Sequence, residues 1–163
     1  DDGSGASPRY AEPTITGLRD LLLGRAESNT QGNVDVDVYV CDEPAECMNP
    51  VVLSEADRNV TYNGGMACDS GLTEAWYRFT GAAGTKMPTT APPLYACGTD
   101  APGWLSAAHP TVNDGAVART VCFNWGADTC MWSEAITVRN CGNYYVYKLP
   151  PATVCNTRYC GTN

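Results

Sequence analysis

The sequence is poor in the residues that bind metals and transfer protons near neutral pH. Its 163 residues include one histidine, His109, and none of its nine cysteines forms a Cys-x-x-Cys pair. Zinc sites usually need closely spaced cysteines and further histidines. The sequence therefore predicts no metal site and no cofactor. The nine cysteines instead favour a framework of disulfides, which persist in oxidising compartments.

Positive charge and long apolar runs are also scarce. Lys and Arg number 10 against 18 Asp and Glu, for a net charge of -8. An acidic surface repels phosphate backbones, so we predict no nucleic-acid partner. No apolar run approaches the roughly 20 residues that a membrane span requires. Because the chain begins at Asp1, we expect that a signal peptide has been removed or that an upstream part is missing. A secreted protein is therefore predicted.

Motifs that would indicate catalysis are missing. The sequence contains no Gly-x-Ser-x-Gly, no His-Glu-x-x-His and no phosphate-binding loop. His109 is expected to have a structural role, and the acidic cluster Asp42, Glu43 and Glu46 is expected to be a solvated turn. We predict that the chain is not an enzyme and has no catalytic residues.

The N-terminal arm, residues 1–40, contains one clear strand pattern. Residues 34–40 read VDVDVYV, so that Val34, Val36, Val38 and Val40 share one face. A lone strand is unstable and must pair with another. Two interpretations stay open, an edge strand of the chain's own domain or a strand donated to the sheet of a neighbouring subunit.

Beyond the arm, turn signals separate short strand patterns. Aromatic and β-branched residues predict strands at Ala75–Thr80, Ala135–Arg139 and Tyr144–Leu149. The last two are separated by Asn140-Cys141-Gly142-Asn143 and predict a hairpin. The proline-rich region Lys86–Pro110 is expected to be an ordered loop pinned by cross-links.

An ordered series of residues in the cysteine-rich region follows a recognisable pattern. It comprises Cys68-Asp69-Ser70, Glu74–Gly81 (EAWYRFTG), Lys86-Met87-Pro88, Cys97–Leu105 (CGTDAPGWL), His109-Pro110, Asp114-Gly115, Cys122, Trp125, Cys130-Met131-Trp132, Cys141, Tyr144–Tyr147 (YYVY), Cys155 and Tyr159-Cys160. On these residues, the chain resembles the uromodulin-type eight-cysteine extracellular domain over residues 41–160. The arm is not covered by the resemblance.

The resemblance implies a disulfide pattern and a fold. The implied bridges are Cys47–Cys141, Cys68–Cys155, Cys97–Cys160 and Cys122–Cys130. Two further cysteines of the family pattern, which would be partners, are replaced together by Ala91 and Thr129. We expect a small, mainly β, loop-rich, disulfide-stapled domain over residues 41–163, preceded by the extended arm.

Cys41 is the odd cysteine. The arm contains no other cysteine. One interpretation is a free buried thiol or a local Cys41–Cys47 bridge. The other is a bond to another chain, or to a segment outside this sequence, as an unpaired cysteine of a secreted protein indicates.

Covalent glycans are expected at two places. Asn59-Val60-Thr61 is the only N-glycosylation motif in the chain. Thr85, Thr89 and Thr90, beside Pro92-Pro93, are candidates for O-glycans, or else belong to an ordinary proline loop. The resemblance implies a further glycan just after the Trp-Leu element, but Ser106-Ala107-Ala108 stands there and contains no motif.

The four tryptophans, Trp76, Trp104, Trp125 and Trp132, can stack on sugars or pack against disulfides in the core. From the arm, the odd cysteine and the missing motifs, we predict a structural subunit of an extracellular glycoprotein filament or matrix. It would associate with itself or with other extracellular modules through the arm strand and Cys41. The alternative is a glycan-binding or adhesin-decoy module.

Overall fold

The computed structural model describes residues 43–163 and, in the arm, the backbone of two strands. The chain divides into two units, Asp1–Glu43 and Pro44–Asn163. Strands β1 (Arg25–Ser28) and β2 (Val34–Asp37) pair antiparallel in a sheet of their own, with Ser28 opposite Val34. The strand predicted at 34–40 is therefore present at its first four residues. Val38 and Val40 lie outside the described residues.

The second unit is a seven-stranded mixed sheet with short helices around it. A short helix, α1 (Ala45–Met48), precedes the sheet, and four 3-10 turns lie between its strands. The strands are β3 (Val51–Leu53), β4 (Ala75–Phe79), β5 (Ala101–Leu105), β6 (Ala116–Trp125), β7 (Asp128–Asn140), β8 (Tyr145–Leu149) and β9 (Thr157–Tyr159). Their order is β3-β4-β8-β7-β6-β5-β9, in which the two outermost strands pair parallel to their neighbours. The expected mainly β, loop-rich fold is confirmed. In the described part of the chain, no helix is long and apolar enough to cross a membrane.

The predicted hairpin at the centre of the sheet is present. Strands β7 and β8 pair antiparallel with Thr137 opposite Lys148. The Cys141 N–H donates to the Tyr144 carbonyl (2.8 Å) and closes the turn. Val146 and Tyr147 are both buried, so β8 is covered on both of its faces. Its run of β-branched and aromatic residues suits this position.

The prediction of a loop throughout 86–110 is wrong for its second half. Strand β5 lies there, between β6 and β9, with Gly103 opposite Phe123. A Cβ added at Gly103 would lie 2.7 Å from the Arg158 carbonyl oxygen and 2.8 Å from the Phe123 ring. Pro102 and Gly103 are poor strand formers. Glycine is needed here because a neighbouring strand and an aromatic ring approach its backbone closely.

A buried ion pair joins the irregular segments to the edge of the sheet. Arg58 and Asp69 are each 4% exposed. Arg58 Nη1 and Nη2 donate to the two carboxylate oxygens of Asp69, at 2.6 and 3.0 Å. The Tyr159 N–H donates to the same carboxylate (2.8 Å). Burial alone would lower the pKa of Arg58, but the hydrogen bond and charge of Asp69 raise it.

Three disulfides cross-link the described domain. They are Cys47–Cys141, Cys97–Cys160 and Cys122–Cys130, as the family pattern implies. The fourth expected pair, Cys68 and Cys155, lies side by side as thiols. Burial would raise the pKa of Cys68, but hydrogen bonds with Cys155 and Ser70 lower it to about 7. A thiolate at neutral pH is the form that oxidises to a disulfide, so a Cys68–Cys155 bridge remains our prediction.

Candidate functional site

The described domain exposes a cluster of aromatic rings beside a small cleft. The cleft has a volume of about 100 Å³. Its lining residues are Asp100, Ala101, Trp125, Trp132, Cys155 and Asn156. The rings of Trp125 and Trp132 lie 6.4 Å apart, and Tyr95 meets Trp125 edge-on at 6.5 Å. We call this cleft, together with Tyr95 at its rim, the aromatic groove.

The end of the β6–β7 hairpin positions the two tryptophans. The strand register shifts between Phe123 and Trp125, which is the signature of a β-bulge. Trp132 lies opposite Phe123 and packs partly against the core. Trp125 remains 37% exposed. The hairpin therefore holds one indole in place and presents the other to solvent.

Two turns complete the groove, and both contain left-handed backbone. The non-glycine residues with positive φ in the described part of the chain are Tyr95 (66°), Cys97 (47°) and Asn156 (69°). Asparagine adopts this conformation readily, but tyrosine does so rarely. Such strain costs about 1–3 kcal/mol per residue and clusters at functional sites. Here it accompanies a tyrosine side chain that is 52% exposed at the rim of the groove.

Hydrogen bonds fix these turns to the body of the domain. The Tyr95 carbonyl accepts from the Gly64 N–H (2.9 Å). The Asn156 carbonyl accepts from Thr99 Oγ1 (2.7 Å) and from the Ala101 N–H (2.9 Å). These bonds use the backbone. Within the described domain, the carboxylate of Asp100 and the side-chain amide of Asn156 remain available to a ligand.

The other two tryptophans do not belong to the groove. Trp104 is half-buried on β5, and its Nε1 donates to the Thr129 carbonyl (2.8 Å). Trp76 is half-buried on β4, in register with Lys148. The four tryptophans therefore divide into two that line a surface groove and two that lie in other parts of the sheet.

His109 has a structural environment. Its Nε2 lies 2.8 Å from the Tyr147 hydroxyl, which accepts from the Met87 N–H (3.0 Å), and its ring stacks at 4.3 Å on Tyr145. Desolvation, followed by the charges of Lys86 and Arg119, lowers the pKa of His109 to about 4. The imidazole is therefore neutral near neutral pH, and in the tautomer that carries its proton on Nδ1 the Nε2 atom accepts a hydrogen bond from the buried tyrosine.

His109 also lines a larger cleft of about 460 Å³ below the proline loop. Thr89 and Thr90 lie on its rim, and Thr85 is exposed nearby. This arrangement is compatible with the predicted O-glycans, which remain a prediction.

The prediction of a solvated acidic turn is wrong for Glu46, whereas Glu43 is exposed as expected. Glu46 forms a half-buried ion pair with Arg139 (2.7 Å). A backbone hydrogen bond at Glu46 and the Arg139 side chain lower the pKa of Glu46, although burial acts against them. Asp42 and Cys41 lie outside the described residues. Within the ranges that the structure describes, no three His, Cys, Asp or Glu side chains gather as metal ligands would.

Asn59 is only 7% exposed. Its side-chain oxygen accepts from the Thr61 N–H (3.0 Å) and the Thr61 hydroxyl (2.8 Å). The motif therefore forms a local turn in which Thr61 bonds to the side-chain oxygen of Asn59. Neither of these hydrogen bonds uses the amide nitrogen of Asn59, which is the atom that would carry a glycan. Glycosylation of Asn59 remains a prediction.

Sequence reasoning included the two tryptophans of the groove but missed Tyr95, Asp100 and Asn156. No local pattern marks them, because they come together through the pairing of β5 with β6 and β9. The one available signal was the density of Gly and Pro around Tyr95, which indicates a tight turn.

The fold and cross-links define a class of protein, a disulfide-stapled, mainly β extracellular domain. Residues 77–161 match the family model of the uromodulin-like domain, and the chain belongs to that family. It is 40% identical over 156 residues to the rat pancreatic secretory granule membrane major glycoprotein GP2, covering 93% of this chain and 28% of that protein. It is 42% identical to mouse uromodulin over 122 residues (74% of this chain, 18% of that protein) and 42% identical to rat uromodulin over 155 residues (94% and 22%). The chain thus spans less than a third of the length of these relatives. The extracellular location of this chain agrees with the prediction of a secreted protein.

Proposed function

We propose that this chain is a structural domain of an extracellular glycoprotein assembly, joined to its neighbours through the arm. The observation that carries the proposal is the separate two-stranded sheet of β1 and β2. A two-stranded hairpin is at best marginally stable alone in water. Within the described ranges each of its strands has one strand partner, so each has an unpaired edge that another sheet can use.

Strand β3 is a suitable acceptor on a neighbouring molecule. It is the outermost strand at one end of the seven-stranded sheet and pairs with β4 alone in the described domain. Its Val51 and Val52 side chains are 49% and 54% exposed. Exposed apolar edge strands are templates for pairing with another chain. In this proposal, residues 34–40 of one molecule add to β3 of the next.

Multi-angle light scattering of the full chain tests the strand addition. Val36→Lys places a charge on the valine face of the strand, and Val52→Lys places one at the acceptor edge. In a Cys41→Ser background, which removes any covalent link through Cys41, both variants should shift the protein from oligomer to monomer. Val112→Lys is the matched control, since Val112 is comparably exposed outside the sheet. A wild-type chain that is monomeric at all concentrations would contradict the proposal.

Cys41 supplies a covalent link in the same proposal. Six of the other eight cysteines are bonded and two are adjacent, which leaves Cys41 for a partner elsewhere. Non-reducing electrophoresis should show a dimer that disappears in Cys41→Ser and with reductant. If Cys41→Ser leaves the band pattern unchanged, Cys41 is not the link, and the strand addition must be judged by the scattering experiment alone.

We propose further that Asn59 carries an N-glycan. Secretory expression in eukaryotic cells should give a product whose mass falls on treatment with an amidase that removes N-glycans. Asn59→Gln should abolish that shift. Thr61→Ser is the control, because it keeps both the motif and the hydroxyl that bonds to Asn59. An unmodified wild-type product would refute this assignment and with it the adhesin-decoy alternative at Asn59.

A further inference from the structure

We propose that the aromatic groove binds a neutral sugar residue of a glycan, with the pyranose ring stacked on Trp125. The site is distinct from the assembly surfaces proposed above, so either proposal can fail without the other. It rests on three features together, namely an exposed indole, polar side chains that the described domain leaves available, and a rigid frame.

The indole supplies the apolar contact. The C–H face of a sugar ring packs on an aromatic face, and large aromatic side chains dominate the energetics of such contacts. The Trp125 ring lies 6.4 Å from the tilted ring of Trp132 and meets the Tyr95 ring edge-on at 6.5 Å. One ring is therefore open to a ligand, while its neighbours fix its orientation.

The polar groups favour a polyhydroxylated ligand over a proline-rich peptide. The Asp100 carboxylate is an acceptor only, whereas the Asn156 amide both donates and accepts. Neighbouring sugar hydroxyls can donate to the first and exchange hydrogen bonds with the second. The carbonyl groups of a proline-rich peptide cannot bond to a carboxylate. The cleft of about 100 Å³ is also far smaller than the roughly 300–1,000 Å³ of typical ligand pockets, which suits one ring at a glycan terminus.

Charge restricts the sugar to a neutral one. Asp100 faces the cleft, and the chain has a net charge of -8. A sialylated or sulfated residue would place its anion beside a carboxylate on an acidic protein, and like charges at short range repel.

The frame is preorganised, so that little ordering cost falls on binding. Cross-links lie beside each part of the groove: Cys97 follows Tyr95 by two residues, and Cys122–Cys130 spans the hairpin that carries both tryptophans. The left-handed backbone at Tyr95 is held in this frame by the Gly64 hydrogen bond. The turn at Tyr95 costs stability and presents an exposed ring. Binding of a ligand to that ring would account for the strain.

Two-dimensional ¹H–¹⁵N NMR of the full chain tests the proposal, because its four tryptophans give four indole N–H signals. The probes are the methyl glycosides of glucose, galactose, mannose and N-acetylglucosamine, with N-acetylneuraminic acid and a deca-proline peptide for comparison. At least one neutral glycoside should shift the Trp125 and Trp132 signals and leave that of Trp76 in place.

Three variants in the groove and one control outside it sharpen the outcome. Trp125→Ala should weaken binding by about ten-fold or more, and Asp100→Asn by roughly three- to ten-fold through loss of a charge-assisted hydrogen bond. Tyr95→Asn should also weaken binding while suiting the left-handed backbone. Val112→Ala, which removes an exposed apolar side chain outside the groove, should change nothing. Asp100→Asn serves as the test if Trp125→Ala does not fold.

Four results would overturn the proposal. These are no shift with any neutral glycoside, equal shifts in wild type and Asp100→Asn, equal binding of N-acetylneuraminic acid, and shifts with deca-proline alone. The last would make the groove a peptide site.

Discussion

Replacing Asp69 by Asn tests whether the buried ion pair organises the irregular half of the domain. The Asp69 carboxylate accepts from two nitrogens of Arg58, at 2.6 and 3.0 Å, and from the Tyr159 N–H at 2.8 Å. Asparagine has a single oxygen, and its NH₂ group would face guanidinium donors. The Arg58 charge would remain buried. Among the described residues it would keep the carboxylate of Glu55 at 3.2 Å, whose side chain is half exposed, and the Tyr159 carbonyl at 3.0 Å.

Removing one partner of a buried pair costs about 3–5 kcal/mol, because the other charge is left without compensation. Because the contact with Glu55 remains, we expect the cost of Asp69→Asn to lie near the lower end of this range. A loss of about 3 kcal/mol is a large fraction of the roughly 5–15 kcal/mol that stabilises a domain. We expect the melting temperature to fall by about 10 °C or more.

Urea unfolding of the oxidised protein, followed by tryptophan fluorescence, measures the loss. Glu74→Gln is the matched control, because it breaks the Glu74–Lys148 pair (2.8 Å), whose side chains are about half exposed. Exposed pairs contribute about 0–1 kcal/mol, so the control should barely move the midpoint. If Asp69→Asn costs no more than Glu74→Gln, the pair does not hold the fold as argued.

Two further predictions concern the cross-links and the histidine. Replacing Cys47 and Cys141 by Ser opens a loop of 94 residues, and replacing Cys122 and Cys130 by Ser opens one of 8. The chain-entropy relation gives losses in the free energy of unfolding of about 4.7 and 2.5 kcal/mol. Chemical denaturation should rank the two double variants in that order, and equal losses would contradict the entropic account. In the folded protein the pKa of His109 is lowered from 6.5 to about 4, so the unfolded chain binds a proton more readily than the folded one. The free energy of unfolding should therefore fall by about 1–3 kcal/mol as the pH drops from 6.5 to 4. In His109→Gln, whose side-chain oxygen can still accept from the buried tyrosine, urea midpoints should lose this pH dependence, and an unchanged slope would assign it to other groups.

Much of the fold could be predicted from the sequence where one local pattern decides the structure. The run Tyr144–Leu149 is β-branched and aromatic, and it forms β8, displaced by one residue at its start. The turn at Asn140–Asn143 is marked by Gly142, which adopts a φ of 87°. The three bonded cysteine pairs came from the resemblance, because spacing alone permits many connectivities.

Other features depend on partners that are remote in sequence. Strand β5 contains proline and glycine, and its identity as a strand comes from β6 and β9 on either side. The Arg58–Asp69 pair and the groove around Trp125 likewise join segments that no single pattern connects. The ion pair of Glu46 was missed because its partner, Arg139, lies 93 residues away in the sequence, where no local pattern connects the two.

Two of the cross-links that stabilise this domain also lie beside its candidate binding site. A domain of this size, with many of its residues in turns and irregular segments, holds its loops through disulfides and a buried ion pair as well as through its core. Cys97 and Cys130, which are both cross-linked, each lie two residues from a residue of the groove. Partial reduction should therefore loosen the groove before the central strands β7 and β8, which depend on their ladder and on the buried side chains of Val138 and Tyr147. If reduction acts in this order, the groove depends on the oxidised state of these two cross-links.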